Sequence, residues 1–211
     1  MAEDSVLEES TPLLRYAFVC QSNVNRSVAA HKLAQEQSPE AFAYEKIESY
    51  GVGSSVKLPG EAADSPNRYA FDKVAYTEIL KDLREKNEPY YRKLGILDML
   101  ERDAQVKRGP MKWQSRNRTV DLFDVIVTFE RRVYDIVLHD LSGSEARYPC
   151  VVINIEVKDT ASEAVASAPD AVHLCQAIAK AGDDWEDCIE DVLEDFRETR
   201  GREVDYDICY Q

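Results

Sequence analysis

The stretch Tyr16-Ala-Phe-Val-Cys20-Gln-Ser-Asn-Val-Asn-Arg26-Ser27 decides the fold of this chain. Its first five residues, up to Cys20, form a short apolar run that predicts a buried strand. Residues 28–34 carry apolar side chains at helical spacing, which predicts a helix that opens near Arg26. A polar loop between a buried strand and a helix N-terminus is typical of anion-binding turns in α/β proteins.

Further strands and helices are predicted along the rest of the chain. Strands are expected near residues 47–50, 123–129 and 151–157. Helices are expected over residues 69–87, 89–103 and 131–140, and two more close the chain, the last ending at Gly201. Strands that alternate with helices indicate βαβ units, so we predict an α/β fold with a parallel sheet covered by helices on both faces.

The length of 211 residues fits one hydrophobic core, and we expect a single domain over residues 15–211. Residues 1–14 have mixed charge and little periodicity, which predicts a mobile tail. The acidic start, Met-Ala-Glu-Asp-Ser, does not resemble a signal peptide, and no apolar run has the length of a membrane span. We therefore expect no contact with membranes.

The net charge of −14 is unevenly distributed. Residues 183–207 contain twelve acidic residues and three arginines, a net charge of −9. A solvated helix face is the main interpretation, and a docking surface for a basic partner is the alternative. Direct nucleic-acid binding is not expected, because phosphates attract the opposite charge. The basic residues within 107–118 belong either to a surface loop, which composition slightly favours, or to an import signal.

The cysteines and histidines do not predict a metal site. The five cysteines contain no CxxC pair, and without a secretory signal they indicate free thiols in a reducing compartment. The three histidines lie far apart in the sequence. We expect neither a metal nor a cofactor.

Cys20 and Arg26 frame a loop of the right length to surround a phosphate. We expect backbone N–H groups of the loop to point inward as a nest, and the planar guanidinium of Arg26 to match two phosphate oxygens. The same positive field favours the attacking thiolate of Cys20. The expected phosphate-binding residues are Gln21, Ser22, Asn23, Val24, Asn25, Arg26 and Ser27.

Some loop residues have additional expected roles. Asn23 and Asn25 tolerate left-handed backbone and can tie the loop with side-chain hydrogen bonds. Ser27 can donate to the thiolate when it leaves. A Cys-x5-Arg pair is a weak signal by itself. In the alternative interpretation, Cys20 is an apolar filler at a strand end and Arg26 lies on the surface.

A cysteine phosphatase also needs an acid that protonates the departing oxygen, and this requirement is stronger for serine than for a phenol. Asp159 and Glu156 follow the fourth predicted strand, where loops converge on the site. Thr160 to Glu163 also fits a capping box, so Asp159 has an equally good structural explanation as the start of a helix. Glu156 is the weaker candidate, because strand alternation directs it away.

With these residues in place, the chain resembles the suppressor-of-Sua class of RNA polymerase II C-terminal-domain phosphatases, which are relatives of the low-molecular-weight tyrosine phosphatases. The resemblance covers about residues 15–165. The residues and segments that carry it are 20–27, His31, 56–60, Asp64, Pro66, Asn67, Tyr69, Phe71, 95–100, Arg102, 121–128, Glu130, 132–135, Asp140 and Leu141.

This resemblance implies a flavodoxin-like core with strand order 2-1-3-4 and added elements that form a substrate groove. It implies removal of phosphate from serine at heptad position five of the polymerase tail, with position seven as a further candidate and the next proline in cis. It also implies a nuclear role in transcription termination and RNA 3′-end processing, beside a symplekin-type scaffold.

The resemblance also implies site residues. Asp159 stands at the position of the family's acid, which favours it over the capping interpretation. Lys57, Leu58, Pro59 and Met99 lie in the segments that line the family's peptide groove.

The sequence departs from the family pattern in a few places and leaves two rival functions. The departures are Gln21 for the usual Ser, Val28-Ala29 for Met-Glu, Glu156 for Asp, and Thr160-Ala161 for Asn-His.

The rival functions are a low-molecular-weight tyrosine phosphatase and a non-catalytic scaffold that binds phosphorylated tails.

Overall fold

The computed structural model describes residues 13–62, 64–142 and 148–211. Most of the predicted tail, residues 1–12, lies outside the described residues. Leu14, which that prediction included, is buried in the core.

The described residues form seven strands and six α-helices. The strands are β1 (Arg15–Cys20), β2 (Lys46–Gly51), β3 (Val56–Leu58), β4 (Asn67–Tyr69), β5 (Val125–Thr128), β6 (Pro149–Ile155) and β7 (Val204–Tyr210). The α-helices are α1 (Arg26–Gln35), α2 (Tyr76–Lys93), α3 (Ile96–Val106), α4 (Arg131–Leu141), α5 (Ala161–Ala181) and α6 (Trp185–Arg200).

The main sheet has five strands in the order β2-β1-β5-β6-β7, and β3 and β4 form a separate antiparallel pair. The first four strands of the main sheet are parallel, and they correspond to the four strands that the sequence predicts. β1 lies between β2 and β5, so its carboxyl end meets the loops that follow both neighbours. The α/β prediction is confirmed.

The parallel sheet carries one antiparallel edge strand that the sequence did not predict. The last helix ends at Gly201, whose left-handed φ of 62° stops it as expected. The chain then returns as β7, which pairs antiparallel with β6 from Pro149 opposite Tyr210 to Ile155 opposite Val204. Only two residues separate the glycine from this strand, so the chain reverses tightly rather than through a crossover helix.

The predicted helices between residues 69 and 103 have different bounds in the structure. Tyr69 belongs to β4, and α2 begins only at Tyr76. Asn87 has non-helical φ and ψ of −165° and 81° and interrupts α2 two residues before Pro89. Gly95, with a left-handed φ of 72°, then separates α2 from α3 where one helix was predicted, since glycine adopts this conformation without a steric penalty.

The side chains of β1 alternate between the two faces of the main sheet. Phe18 packs in a core with residues of α1, α5 and α6, whereas Val19 packs in a second core with residues of α4. A third core joins Val24 and Val28 to α2, α3 and β3. The added elements therefore pack directly against the loop that follows β1.

The basic residues within 107–118 are integrated into the fold. The Nζ of Lys112 donates to the carbonyl of Gly53 over 2.7 Å. The Nη1 of Arg116 donates to Oδ2 of Asp140, on α4, over 2.7 Å. These contacts connect the stretch to the rest of the protein, which favours the surface-loop interpretation over an import signal.

The acidic helix α6 buries one apolar face, formed by Trp185, Ile189, Leu193 and Phe196, and most of its acidic residues are exposed. This arrangement agrees with the solvated-face interpretation. Across the described segments, no helix has the length and apolar character needed to cross a membrane.

Candidate active site

Cys20 is the last residue of β1, and its side chain is buried. Its Sγ lies 3.1 Å from the Oγ of Ser27, in the first turn of α1. The strand, the loop and the helix predicted around this residue are therefore all present, and the thiol has a hydroxyl neighbour that can stabilise its charged form.

Carbonyl groups of the loop are hydrogen-bonded from outside it. The donor and acceptor pairs are Val52 N to Cys20 O (3.1 Å), Gly53 N to Gln21 O (2.9 Å), Tyr76 Oη to Asn23 O (2.6 Å), and Arg102 Nη2 to Val24 O (3.3 Å) and Asn25 O (3.2 Å). In a planar trans peptide group the C=O and N–H bonds point in opposite directions. The N–H groups of the next residues therefore turn inward, as an anion nest requires.

Asn23 fixes the shape of the loop. Its φ of 51° is left-handed, and its side chain is fully buried. Its Nδ2 donates to the hydroxyls of Ser27 and Ser49, each over 3.1 Å, and its Oδ1 accepts from the N–H of Met111 over 2.9 Å. Of the two asparagines that tolerate left-handed backbone, Asn23 adopts it, whereas Asn25, the N-cap of α1, has a φ of −126°.

His31 extends this network on the inner side of α1. Its Nδ1 lies 3.1 Å from the Oγ of Ser49. Burial, with a further contribution from the charge of Lys107, lowers the pKa of His31 to about 3. The imidazole is therefore neutral near pH 7 and supports the loop through hydrogen bonding rather than charge.

Arg26 is almost completely buried across the carboxyl ends of β5 and β6. Its Nη1 donates to the carbonyls of Phe129, over 3.1 Å, and Val157, over 2.9 Å. Its Nε has no hydrogen-bond partner among the described residues. The interpretation of Arg26 as a surface residue is therefore wrong, and Nε is the guanidinium N–H that the protein itself leaves without an acceptor among the described residues.

Two carboxylates lie beside the guanidinium of Arg26. Its Nη2 is 3.0 Å from Oε2 of Glu130 and 3.4 Å from Oδ2 of Asp159. Burial lowers the pKa of Arg26, but the negative charges of Cys20, Asp159 and Glu130 outweigh burial and raise it. Arg26 is thus a permanent cation that joins the thiol, the loop and both carboxylates.

Asp159 lies against the loop and is about half exposed. Its Oδ1 accepts from Nδ2 of Asn25 over 2.9 Å. The N-cap of α5 is Thr160, whose side chain accepts from the N–H of Glu163 over 3.2 Å. Thr160 therefore caps α5, and Asp159 is not needed for capping. Its carboxylate remains available to the active site.

Glu156 has a different place. Its Oε2 accepts from the N–H of Arg131 over 3.0 Å, at the start of α4. A negative charge at a helix N-terminus is favourable. The hydrogen bonds of Glu156 are thus to α4 and β6 rather than to the loop, in agreement with the sequence-based preference for Asp159.

A groove of about 700 Å³ extends from Cys20 and contains all four predicted groove residues. Its lining is formed by Cys20, Ser22, Val24, Asn25, Lys57, Leu58, Pro59, Gly60, Glu61, Ala62, Pro66, Tyr90, Leu94, Gly95, Ile96, Met99, Asp159, Thr160 and Ala161. Leu58 and Met99 are largely buried, whereas Lys57 is exposed. The thiol, Asp159 and an apolar surface therefore share one concave site.

Hydrogen bonds fix the wall of this groove. The N–H of Lys57 donates to Oγ of Ser22 over 3.2 Å, which joins the wall to the loop. The hydroxyl of Tyr90 donates to the carbonyl of Gly60 over 2.9 Å. The wall is thus held at both ends, in a defined position relative to Cys20.

Comparisons with known proteins agree with this geometry. A sequence profile of the family described as "Ssu72-like protein" matches residues 14–211. The chain belongs to the Ssu72 family. The Ssu72 proteins of Mus musculus and Homo sapiens, both named as phosphatases of the RNA polymerase II C-terminal domain, are 39% identical to it over 203 residues. These matches cover 95% of this chain and 98% of each relative. At this identity and coverage, the chain is a phosphatase.

Solved Ssu72 structures have the same fold. A structure described as the serine phosphatase of RNA polymerase II CTD from Drosophila melanogaster has a TM-score of 0.84 at 34% identity, covering 94% of this chain and 100% of that one. Another, of D. melanogaster Ssu72 with Symplekin bound to a cis peptidomimetic CTD phospho-Ser5 peptide, has a TM-score of 0.83 at 32% identity, with coverages of 94% and 98%.

Some residues of this Ssu72 family site were not assigned roles from the sequence. Glu130 and Arg102 lie in the segments that carry the resemblance, but only the fold brings them to Arg26 and to the loop carbonyls. Tyr90, Leu94 and Ile96 flank the predicted groove residue Met99, and this proximity was the available signal. In the described segments, no group of three or more His, Cys, Asp or Glu side chains is placed to hold a metal ion.

Proposed function

We propose that this chain removes phosphate from serine at heptad position five of the RNA polymerase II C-terminal domain, through a phosphocysteine intermediate. The observation that carries the proposal is the groove that contains Cys20 and Asp159 together with an apolar wall. A phosphate nest, an acid beside it and an apolar surface for a neighbouring proline are the three elements that a phosphoserine-proline substrate requires.

In the first step, the thiolate of Cys20 attacks phosphorus in line with the serine oxygen. The loop N–H groups and Nε of Arg26 stabilise the charge on the equatorial oxygens. The S–P bond forms as the P–O bond breaks, and Asp159 gives its proton to the departing serine oxygen. The position of Asp159 against Asn25 and Arg26 supports this role.

In the second step, water attacks the phosphocysteine. Asp159, now ionised, accepts a proton from that water, the S–P bond breaks, and inorganic phosphate leaves. The thiolate of Cys20 is regenerated, and the neighbouring hydroxyl of Ser27, at 3.1 Å, stabilises it as it leaves. Asp159 ends the cycle protonated, ready for the next substrate.

The substrate assignment is supported by the groove and by the Ssu72 relatives. Leu58, Pro59 and Met99 offer an apolar surface next to the phosphate site, which suits the proline that follows the phosphoserine. The D. melanogaster complex with a cis peptidomimetic phospho-Ser5 peptide supports position five and a cis proline. Position seven is a further candidate substrate.

The same complex contains Symplekin, which supports a symplekin-type scaffold of the 3′-end processing machinery as a partner. A phosphatase of the polymerase tail works where the polymerase does. We therefore place the chain in the nucleus, in transcription termination and RNA 3′-end processing, and assign it no direct contact with nucleic acid or membrane.

A panel of singly phosphorylated peptides tests the substrate assignment. We expect the peptide with phosphoserine at position five to be hydrolysed fastest. Replacement of its next proline by alanine should lower kcat/KM by at least roughly 10–200-fold, because it removes an apolar pocket contact and also nearly all of the cis form. The measurement is phosphate release under kcat/KM conditions. A matched phosphotyrosine peptide is the control, and a higher kcat/KM on it would favour the tyrosine-phosphatase alternative.

Selection of the cis proline has its own kinetic signature. Only about 10–30% of such bonds are cis in a free peptide, and they exchange over tens of seconds or longer. Excess enzyme should therefore release a fast fraction of phosphate, followed by a slow phase that a prolyl isomerase removes. Complete release in one fast phase would contradict cis selection, and the same time course with a prolyl isomerase present from the start is the control.

A further inference from the structure

Arg102, on α3, contacts the back of the phosphate loop. Its Nη2 donates to the carbonyls of Val24, over 3.3 Å, and Asn25, over 3.2 Å. Its Nε and Nη2 also donate to Oδ1 of Asp103, over 2.9 and 2.6 Å. One guanidinium thus joins a buried carboxyl group to two consecutive peptide groups of the loop.

We propose that Arg102 is a positioning residue that orients the loop N–H of Asn25 toward phosphate and reinforces the orientation of the N–H of Arg26, and that Asp103 holds its guanidinium in place. The second of these peptide groups is also held by α1, because the N–H of Ala29 donates to the carbonyl of Asn25 over 2.9 Å. The inference rests on the proposed phosphatase chemistry of the loop. It assigns a role in the reaction to two residues outside the groove, since Arg102 and Asp103 are not among the residues that line it.

The geometry of the peptide group supports this role. The carbonyl of Val24 shares a plane with the N–H of Asn25, and the carbonyl of Asn25 shares one with the N–H of Arg26. When both carbonyls point outward to Arg102, both N–H groups point inward. The cation also polarises these two peptide groups, which strengthens their N–H groups as donors to an anion.

Asp103 is fully buried, and its carboxyl group accepts hydrogen bonds from Arg102. Burial raises its pKa to about 8, although the charges of Arg102 and Lys107 oppose the shift. Its Oδ2 has no hydrogen-bond partner within the described part of the chain, whereas Oδ1 accepts both bonds from Arg102. Oδ1 is therefore the atom of Asp103 that holds Arg102. The side-chain oxygen of an asparagine can accept the same hydrogen bonds without a charge.

Four variants distinguish a positioning role of Arg102 from a contribution to the stability of the protein alone. The double variant Arg102→Met with Asp103→Asn removes the guanidinium without leaving an unpaired buried carboxylate. Asp103→Asn alone keeps Arg102 and its acceptor. Arg84→Met is the matched control. The guanidinium of Arg84 lies 2.5 Å from Glu101, which is on α3 next to Arg102. Among the described contacts, Arg84 donates to no loop carbonyl. Arg102→Lys keeps the charge but loses the planar fork.

The measurements are the affinity for inorganic phosphate by calorimetry, kcat and KM for p-nitrophenyl phosphate, and the midpoint of thermal unfolding. For the double variant we expect about a tenfold loss of phosphate affinity and about a 10–100-fold loss of kcat. Removing one oxyanion donor outright costs about 10²–10³-fold, and here the N–H groups are misaligned rather than deleted. Arg84→Met should remain within about threefold of the parent, because it removes no donor to the loop, whereas Asp103→Asn weakens the hold on the guanidinium and should fall between the parent and the double variant.

A folded double variant with the parent's phosphate affinity and kcat would overturn the proposal. If the double variant does not fold, Arg102→Lys decides. A loss of phosphate affinity with little change in the unfolding midpoint supports positioning, and unchanged affinity refutes it. Neither probe occupies the peptide groove, so a wrong substrate assignment leaves this test intact. Absence of turnover on every phosphate ester would refute the proposed function alone, since calorimetry still measures the loop.

Discussion

Replacing Cys20 with serine is expected to abolish phosphate release from both phosphopeptides and aryl phosphates, with a loss in kcat of about 10⁴-fold or more. A serine hydroxyl keeps its proton near pH 7, and the contact of the thiol is the hydroxyl of Ser27, which is not a base. The serine side chain still fits the site, because it can keep the hydrogen bond to Ser27. Binding should therefore survive while chemistry is lost.

The experiment measures turnover and phosphopeptide affinity on the same protein. The Cys20→Ser variant should bind the phosphopeptide with a Kd close to that of the parent. Cys188→Ser, a partly exposed thiol on α6, is the matched control and should keep full activity. Residual release by Cys20→Ser above about 1% of the parent would contradict a thiolate nucleophile, since a neutral hydroxyl provides no comparable attack. Tight binding without release by the parent, with its thiols reduced, would instead favour the scaffold alternative.

The elements that could be predicted from the sequence are those determined by local pattern. β1 and β6 are mostly apolar, through residues 16–20 and 150–153, so their burial is visible in the sequence. The position of Cys20 between a buried strand and a helix follows from the same pattern. The choice of Asp159 over a capping role needed the family resemblance, because Thr160 and Asp159 are equally good local candidates for the start of α5.

The elements that could not be predicted depend on contacts between distant residues. β4 is only Asn67–Tyr69, and its strand conformation comes from pairing with β3. β7 lies at an edge, and its pairing with β6 joins residues about fifty to sixty positions apart. The contact of Arg102 with Val24 spans 78 positions, and no local pattern encodes it. Local propensity gives way to tertiary pairing at such places.

The departures from the family pattern are compatible with the same site geometry. Val28 and Ala29 are buried in cores beside α1, where apolar side chains pack. Thr160 provides the N-cap of α5, and Ala161 lines the groove. Because these residues satisfy the helix without using Asp159, the carboxylate keeps its contacts with Asn25 and Arg26. The substitutions change the surroundings of the acid but leave its place against the loop.

Asp159→Asn is expected to lower kcat/KM, which reports the first chemical step, by about 10²–10⁴-fold for a phosphoserine peptide, the usual contribution of a general acid, and to lower kcat/KM for p-nitrophenyl phosphate far less. A phenol of the tyrosine type has a pKa of about 10, so its anion departs without a proton. A serine alkoxide is much more basic and needs one. Asparagine preserves the acceptor for Nδ2 of Asn25, so the loop should keep its geometry.

Resolving the two chemical steps makes this test sharper, because Asp159 acts as an acid in the first and as a base in the second. With Asp159→Asn, p-nitrophenyl phosphate should still give a rapid burst of product equal to the enzyme concentration, followed by slower turnover as the phosphocysteine waits for hydrolysis. The phosphoserine peptide should give no burst, since its first step already lacks a proton donor. Glu156→Gln is the matched control, because that carboxylate follows the same strand but bonds to α4, and it should behave as the parent does. Equal losses in the rate of the first step on both substrates would show that Asp159 is not the acid. Glu130, the other carboxylate beside Arg26, would then be the next candidate.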